Sequence, residues 1–531
     1  MERQAPKQLL YENQLPLAVE SKSTRRLFFP EGGSVYGPPG GANPNIIRIP
    51  INADSLLDVQ HSYLQFNLNA TAANTRGLAP DIGVPFIRRL RIESAGTTLE
   101  DIDEYGKLYG GVLFPAQASN GAVQEATITT KGIGSTSGQI RQVGGGALAV
   151  GNIADGAVVL DGNAVINAAA IGATNGGDVS GAIATAIRQG VKNAINTSKD
   201  SVLAQANGAV ITAASPGNPK QAGTNSIRGT TSYKYSISLV SALLNMEKYL
   251  PLVMMNAGIT LELELDVAGS VGLQDANGNA GAGAGDEAPE WTLSDIRYVA
   301  HLIDLQRDFY DKMRMVMEGS GGVLQLTGST FRHYAGAISG ATGTEVINLP
   351  ARVKSIQSVF FTLTPTTSKN AVNEFGVSNS LPMGLDEYQF RIGSVVYPPT
   401  SVKLNKVGTA YTNKGEAYSE LRKAFGTLGN YMEGGFLNND GYLIACDTQV
   451  CAGGGAAATP SIPLQSPFGL DFQSFPKTAL ESGINTSDRS LNMSLNLVRS
   501  NAAAIDGVVD AWVMSDAIFY VNLDGSVSVS V

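Results

Sequence analysis

Two cysteines, Cys446 and Cys451, are all that 531 residues contain, so disulfides cannot be the framework of this fold. Their spacing, CDTQVC, describes either one local bridge or two unpaired thiols at a strand end and its loop, and unpaired thiols are the expected state. Histidine is as scarce, with His61, His301 and His333 only. Imidazole is the commonest general acid or base, yet no two of these share a local motif, and each reads as a core or edge histidine. The phrases GxSxG, HExxH and GxxxxGK[ST] are absent, which removes the local signatures of serine hydrolases, zincins and P-loop enzymes. No window approaches ~18 uninterrupted apolar residues, the length of a membrane-spanning helix. The opening stretch has Glu and Gln where the apolar part of a secretion signal would stand. Charge is thin too. Only 16% of residues are charged and the net charge is −9, which argues against a surface that wraps nucleic acid, since that affinity comes from clustered Lys and Arg. Sequence-specific nucleic-acid binding is not expected.

What the chain has is hydrophobic material, 43% of its residues, arranged in short alternating runs parted by Gly, Pro and Asn. In Ser62 to Asn69 (SYLQFNLN), Leu64, Phe66 and Leu68 share one face, the period of a half-buried strand. The order of such runs occurs twice. Ser62 to Asn69 corresponds to Ser355 to Thr364 (SIQSVFFTLT), and Phe86 to Glu93 (FIRRLRIE) to Tyr388 to Val396 (YQFRIGSVV). A short helix is expected after each: LEDIDEYGKLYG, with Leu99, Ile102 and Tyr105 or Tyr109 on one side, and about Gly415 to Thr427, with Tyr418, Leu421 and Phe425 on one side. Then a helix broken at a glycine gives way to an alternating strand, as SALLNMEKYLPLVMMNAG before ITLELELDVA and as FPKTALESG before LNMSLNLV. Each half closes on a long apolar strand, Asp295 to Leu305 and Asp510 to Val521. Repeated order of this kind indicates two β-sandwiches built alike.

Three stretches fall outside the repeat. Residues 1–45 read as an N-terminal arm, because Pro6, Pro16 and Pro30 interrupt it and EGGSVYGPPGGANPN is turn chemistry. It reads either as a solvated tail or as an arm docked on a neighbour, since its apolar Leu9, Leu10, Leu15, Leu17, Phe28 and Phe29 are costly to leave wet. From about residue 116 to 229 the texture becomes small and almost free of aromatics, as expected of a surface insertion. Within it, Ile183, Ile187, Val191 and Ile195 are spaced as one helical stripe. In LQRDFYDKMRMVMEGSGG, Leu305, Phe309, Met313 and Val316 fall along one side of a connector helix, assigned to residues 306–322, that ends near Gly319. The organisation is therefore an arm over 1–45, a first sandwich over 46–305, the connector, and a second sandwich over 323–531.

Asp275, Asn277, Asn279 and Asp286 match some spacings of a calcium loop, but Ala280 stands where that loop needs glycine, and a glycine-rich strand connection is expected instead. GAGAG in the same stretch has no following helix to receive a pyrophosphate. Asn69, Asn196, Asn485 and Asn492 lie in N-x-[ST] phrases that an Asn-rich, Thr-rich chain produces by coincidence. No catalytic, cofactor-binding or metal-binding residue is expected.

With YLPLVMMNAGITLELELDVA as the helix-to-strand phrase of the first half and VVDAWVMSDAIFYVNLDGSV as the closing strand of the second, the chain resembles the double jelly-roll major capsid proteins. That family includes adenovirus hexon and shell proteins of tailless membrane-containing phages, giant viruses, virophages and polinton-like viruses. The resemblance implies an all-β fold of two consecutive eight-stranded jelly rolls with short helices and a large loop insertion in the first. It implies a homotrimeric, pseudo-hexagonal capsomer of an icosahedral shell, located in the virion and assembled inside the host cell. The expected partners are neighbouring capsomers, penton and minor capsid proteins, with inner membrane contact through the arm. It implies no enzyme activity and no cofactor. A secreted or cell-surface β-sandwich adhesin or lectin is the competing class; it would want an export signal and calcium or aromatic sugar platforms. A two-domain cupin-like enzyme would need clustered His and carboxylate ligands.

Overall fold

The computed structural model describes residues 21–70, 84–117, 232–246, 248–267, 291–319, 321–340, 343–366, 380–407, 410–426, 442–443, 466–474, 482–500 and 506–531, with short strands at 77–79, 157–160, 164–167, 227–228 and 272–274. The first half holds eight principal strands: β1 (Ser21–Phe28), β2 (Ile46–Ile51), β3 (Leu56–Ala70), β4 (Ile87–Ser94), β5 (Thr97–Ile102), β6 (Ser232–Ile237), β7 (Ile259–Leu265) and β8 (Trp291–Leu305). They form two antiparallel sheets with orders β1-β8-β3-β6 and β2-β7-β4-β5. After a helix, α2 (Arg307–Gly319), the second half supplies β9 (Val323–Ile338), β10 (Gly343–Leu349), β11 (Ile356–Pro365), β12 (Leu385–Ile392), β13 (Val395–Lys403), β14 (Phe468–Asp471), β15 (Met493–Arg499) and β16 (Gly507–Asn522). Their orders are β9-β16-β11-β14 and β10-β15-β12-β13. Each strand of the second half thus occupies the place of the strand eight labels earlier. The duplication is one of topology, strand for strand. A further short strand, β17 (Val527–Ser530), pairs with β16.

Alternation explains why these segments face as they do. In β7 the residues Ile259, Leu261, Leu263 and Leu265 are buried, and in β15 Met493, Leu495 and Leu497 are, so both strands turn one apolar face inward. The two cores repeat even a cross-strand pair. Phe66 of β3 lies opposite Tyr235 of β6 with rings stacked at 5.2 Å; Phe361 of β11 lies opposite Phe468 of β14 with rings stacked at 5.0 Å. Around them Phe86 and Trp291 fill the first sandwich, and Tyr388 and Phe390 the second. Stacked and edge-on aromatic pairs each contribute about 0.5–1.5 kcal/mol beyond burial.

Several expectations are corrected. Ser21–Phe28, assigned to the arm, is the first strand of the first sandwich, paired along its length with β8. It lies at a sheet edge, and Phe28 is its single buried side chain, so the strand carries no apolar alternation to be read. LEDI belongs to β5 and pairs with β4; the left-handed Glu104 ends that strand and helix begins at Tyr105. YQFRIGSVV is not one strand but a hairpin, β12 and β13, turning at Gly393, whose φ is +59°. A two-residue Gly-Ser loop favours that turn. The described residues of SALLNMEKYLPLVMMNAG form turns, a two-residue strand at Leu250–Pro251 that pairs with Leu56 and Leu57, and a 3₁₀ turn at Leu252–Met254 in place of the expected helix, with Leu243, Leu244, Leu250 and Leu252 used to cover the sandwich. The helix expected at about Gly415 to Thr427 is α3 (Lys414–Ala424), and Phe425 just past it stacks on Phe360 at 4.3 Å. In α2 the buried side is set by Met317, whereas Val316 is exposed. Residues 183–195 and most of FPKTALESG lie outside the described residues.

Candidate functional site

The most constrained chemistry in the molecule lies where the sandwiches meet. The outer face of β9-β16-β11-β14 carries Phe331, Phe360 and Trp512, and these belong, with Leu326, Phe519 and Val521, to the core of the first sandwich rather than the second. The first sandwich meets that face with β5 and with α1, whose α-helical ends Tyr105–Lys107 and Phe114–Gln117 flank a π-helical turn, Leu108–Leu113. Two polar clusters are set into this apolar seam.

In the first, Lys107 Nζ lies 2.5 Å from Asp510 Oδ2 of β16 and 2.5 Å from Thr364 Oγ1 of β11. Exposure of the Lys107 and Asp510 side chains is 3% and 0%. The second carboxylate oxygen, Oδ1, is 3.0 Å from His333 Nε2 of β9, and the His333 ring packs 5.3 Å from Trp512. Asp103 completes the group: its carboxylate is 3.9 Å from His333 Nδ1 and its carbonyl accepts from the Trp512 indole at 3.4 Å. The backbone delivers Lys107 there by close approach, since a Cβ on Gly106 would meet the Val84 carbonyl oxygen at 2.7 Å.

In the second, Glu100 of β5 accepts hydrogen bonds from the Ser241 hydroxyl, from the Ala242 N–H at 2.9 Å and from the Thr330 hydroxyl of β9 at 2.8 Å. Burial pushes the Glu100 carboxyl above the usual carboxylate range, opposed by those hydrogen bonds. Burial likewise raises the Tyr105 hydroxyl, which accepts the Val240 N–H at 2.6 Å. Breaking one partner of a buried ion pair costs about 3–5 kcal/mol, because the other is left unpaired. The seam therefore fixes how one sandwich sits on the other.

The three histidines sit apart in role. His61 is exposed and pairs with Asp58 at 2.8 Å; its ring centroid is 6.4 Å from that of His301 on the neighbouring strand. His333 alone enters the seam. Arg25 donates to the Tyr63 hydroxyl at 3.2 Å and Arg26 lies over the Phe28 ring. Cys446, Cys451, Asp275, Asn277, Asn279, Asp286, Leu9, Leu10, Leu15 and Leu17 lie outside the described residues. Among the described residues no three His, Cys, Asp or Glu side chains are grouped to hold a metal ion, and no helix is long and apolar enough to cross a membrane. A cavity beside Ser62, Leu239 and Tyr298 has about 20 Å³, room for about one water. Sequence reasoning missed the seam entirely, although Asp510 inside the otherwise apolar closing strand was its visible trace.

No protein-family model matches the chain, and no curated protein resembles it by sequence. Solved structures do. VP54 of PBCV-1, a crystal structure fitted into a cryo-EM reconstruction of the virophage Sputnik, is similar over 98% of this chain and 99% of its own, with a TM-score of 0.50 at 8% identity. The chain has a double jelly-roll fold. The major capsid protein of Faustovirus is similar over 96% of this chain and 92% of its own (TM-score 0.46, 9% identity), and that of mavirus over 100% and 95% (TM-score 0.44, 11% identity). In the double jelly roll described here, the seam is the junction between the first roll and the second.

Proposed function

We propose that this chain is the major capsid protein of an icosahedral virus, working as a homotrimeric, pseudo-hexagonal capsomer in the virion shell. The observation that carries the reading is the end-to-end likeness to VP54, in a chain whose two rolls repeat each other strand for strand. Two like rolls held rigidly give three subunits six like wedges, and closed rotational symmetry turns them into a ring. On this reading the product of the chain is interface area, not a reaction, and the buried Lys107–Asp510 pair of the seam serves to hold the two rolls together. The adhesin or lectin alternative draws no support from the structural neighbours.

The reading carries finer proposals. Ser21–Leu305 forms the first roll, α2 the connector and Val323–Ser530 the second. The insertion between about 116 and 229 stands on the outer side of the shell as a tower, and the residues before Ser21 lie on the inner side, toward neighbouring capsomers, penton and minor proteins or an inner membrane. Native mass spectrometry with negative-stain images of the purified protein tests the assembly unit: a trimer with a six-sided outline is expected, and a monomer or dimer at micromolar concentration would overturn it.

A further inference from the structure

The seam contains the reactants of an amide condensation. Lys107 Nζ touches the Asp510 carboxyl at 2.5 Å, both side chains are sealed from solvent, and a third group that can move protons, His333, touches the other carboxylate oxygen at 3.0 Å. We propose that Lys107 and Asp510 join as an intramolecular isopeptide bond that staples the first jelly roll covalently to the second. The proposal rests on the geometry of the seam and does not depend on the shell reading.

Position favours the reaction. A nitrogen 2.5 Å from one carboxylate oxygen has the carboxyl carbon at about the 3–3.5 Å of a near-attack arrangement, and well-oriented intramolecular reactions reach effective molarities of about 10⁵–10⁸ M. Burial favours it as well. An ion pair held away from water pays a desolvation cost on both charges, and the amide product carries none. The steps balance without a co-reactant. The ammonium of Lys107 gives one proton to the Asp510 carboxylate, leaving amine and acid. The amine lone pair attacks Cγ as the carboxyl turns its face to it, forming the C–N bond. The attacked nitrogen gives up its second proton to the His333 imidazole, whose Nε2 side delivers a proton to Oδ1; the C–Oδ1 bond breaks, and Oδ1 leaves as water carrying this proton and the one already on the acid, the two that the ammonium has lost. His333 is restored. Asp103, near Nδ1 of the same ring, steadies the imidazole while it carries charge.

The local structure supports a purpose for Lys107 beyond pairing. It is the last residue before a π-helical turn, a rare wide turn that is frequent at functional sites. Gly106 lets the helix approach the strand ends close enough to bury the lysine. Thr364 Oγ1 accepts from the same amine at 2.5 Å.

Mass spectrometry of the full chain under denaturing conditions decides the matter. The wild-type chain is expected one water lighter than its sequence, with a branched proteolytic fragment joining the Lys107 and Asp510 segments. Lys107→Arg keeps the charge pair and the fold but cannot form the amide, so it is expected at full sequence mass, as is Asp510→Ala. His333→Gln is expected as a mixture of the two masses that shifts toward the lighter with time. Full sequence mass in a wild-type chain that unfolds cooperatively would overturn the proposal. So would a lost water that maps to an Asn or Asp succinimide instead of the branched fragment.

Discussion

At the scale of single residues, the seam makes two commitments that can be measured. Glu100 is buried among donors and its carboxyl is held above the ordinary range chiefly by burial. The native state therefore holds that proton more tightly than the unfolded chain does. The stability this contributes is fully present below the ordinary glutamate range, near pH 4.3, and is lost as pH rises through the raised folded value. Glu100→Gln has no proton to lose there. Urea unfolding at a series of pH values is expected to show wild type losing stability relative to Glu100→Gln as pH rises through that window. A constant difference would mean that Glu100 titrates as it does in water. Gly106 is the second commitment. A methyl group there would press on the carbonyl oxygens of Val84 and Ile87 at 2.7 and 3.0 Å, both backbone atoms that cannot swing aside. Gly106→Ala is expected to destabilise the fold by about 1–3 kcal/mol, the usual cost of overpacking, seen as a lower denaturation midpoint at unchanged slope.

At the scale of elements, what was legible follows from which faces are buried. ITLELEL and the alternating part of LNMSLNLV face one core each, so period two was plain, and the repeat they belong to was legible with them. β1 was not, because an edge strand with one buried side chain looks like a polar loop. LEDIDEYGKLYG was misread because Leu99, Glu100 and Ile102 are all buried, Glu100 by the seam, which blurs period two into an apparent helical spacing. The seam itself pairs residues about four hundred positions apart, and a lone Lys or Asp in sequence reads as solvated surface. The position of β1 changes what truncation should do. Removing residues 1–20 is expected to leave folded, soluble protein, whereas removing residues 2–28 also strips β8 of its edge partner and exposes a ladder open to other chains. Size-exclusion chromatography should show aggregation for the longer truncation only; identical behaviour of the two would mean that β1 is dispensable. Replacing residues 118–226 by a short Gly/Ser link, by contrast, is expected to preserve the β circular-dichroism signal, since loop closure changes only slowly with length.

At the scale of the whole molecule, the internal seam suggests what the junction between subunits looks like. In the second roll, Phe360, Thr362, Asp510 and Trp512 present the face that the first roll covers. Aligning Phe66 with Phe361 through their matching stacked partners puts Gln65, Asn67, Ser294 and Arg297 at the same four places in the first roll. There the face is polar and half-buried: Arg297 Nε donates to Gln65 at 2.8 Å and reaches Asp295 at 3.5 Å. A pseudo-sixfold ring would bring the second roll of the next subunit against this face, so a polar, hydrogen-bonded contact is expected between subunits where an apolar one serves within them. Such contacts give register and specificity more than raw affinity. Arg297→Glu sets a second acid beside Asp295, on a face outside either core, so the monomer should keep its β signal and its unfolding midpoint to within about 0.5 kcal/mol. The trimer should weaken by about tenfold or more, equivalent to at least about 1.4 kcal/mol, measured by sedimentation across a dilution series. Trimers of unchanged affinity would place the subunit junction on another face of the first roll, and a destabilised monomer would show that Arg297 serves the fold of its own sheet.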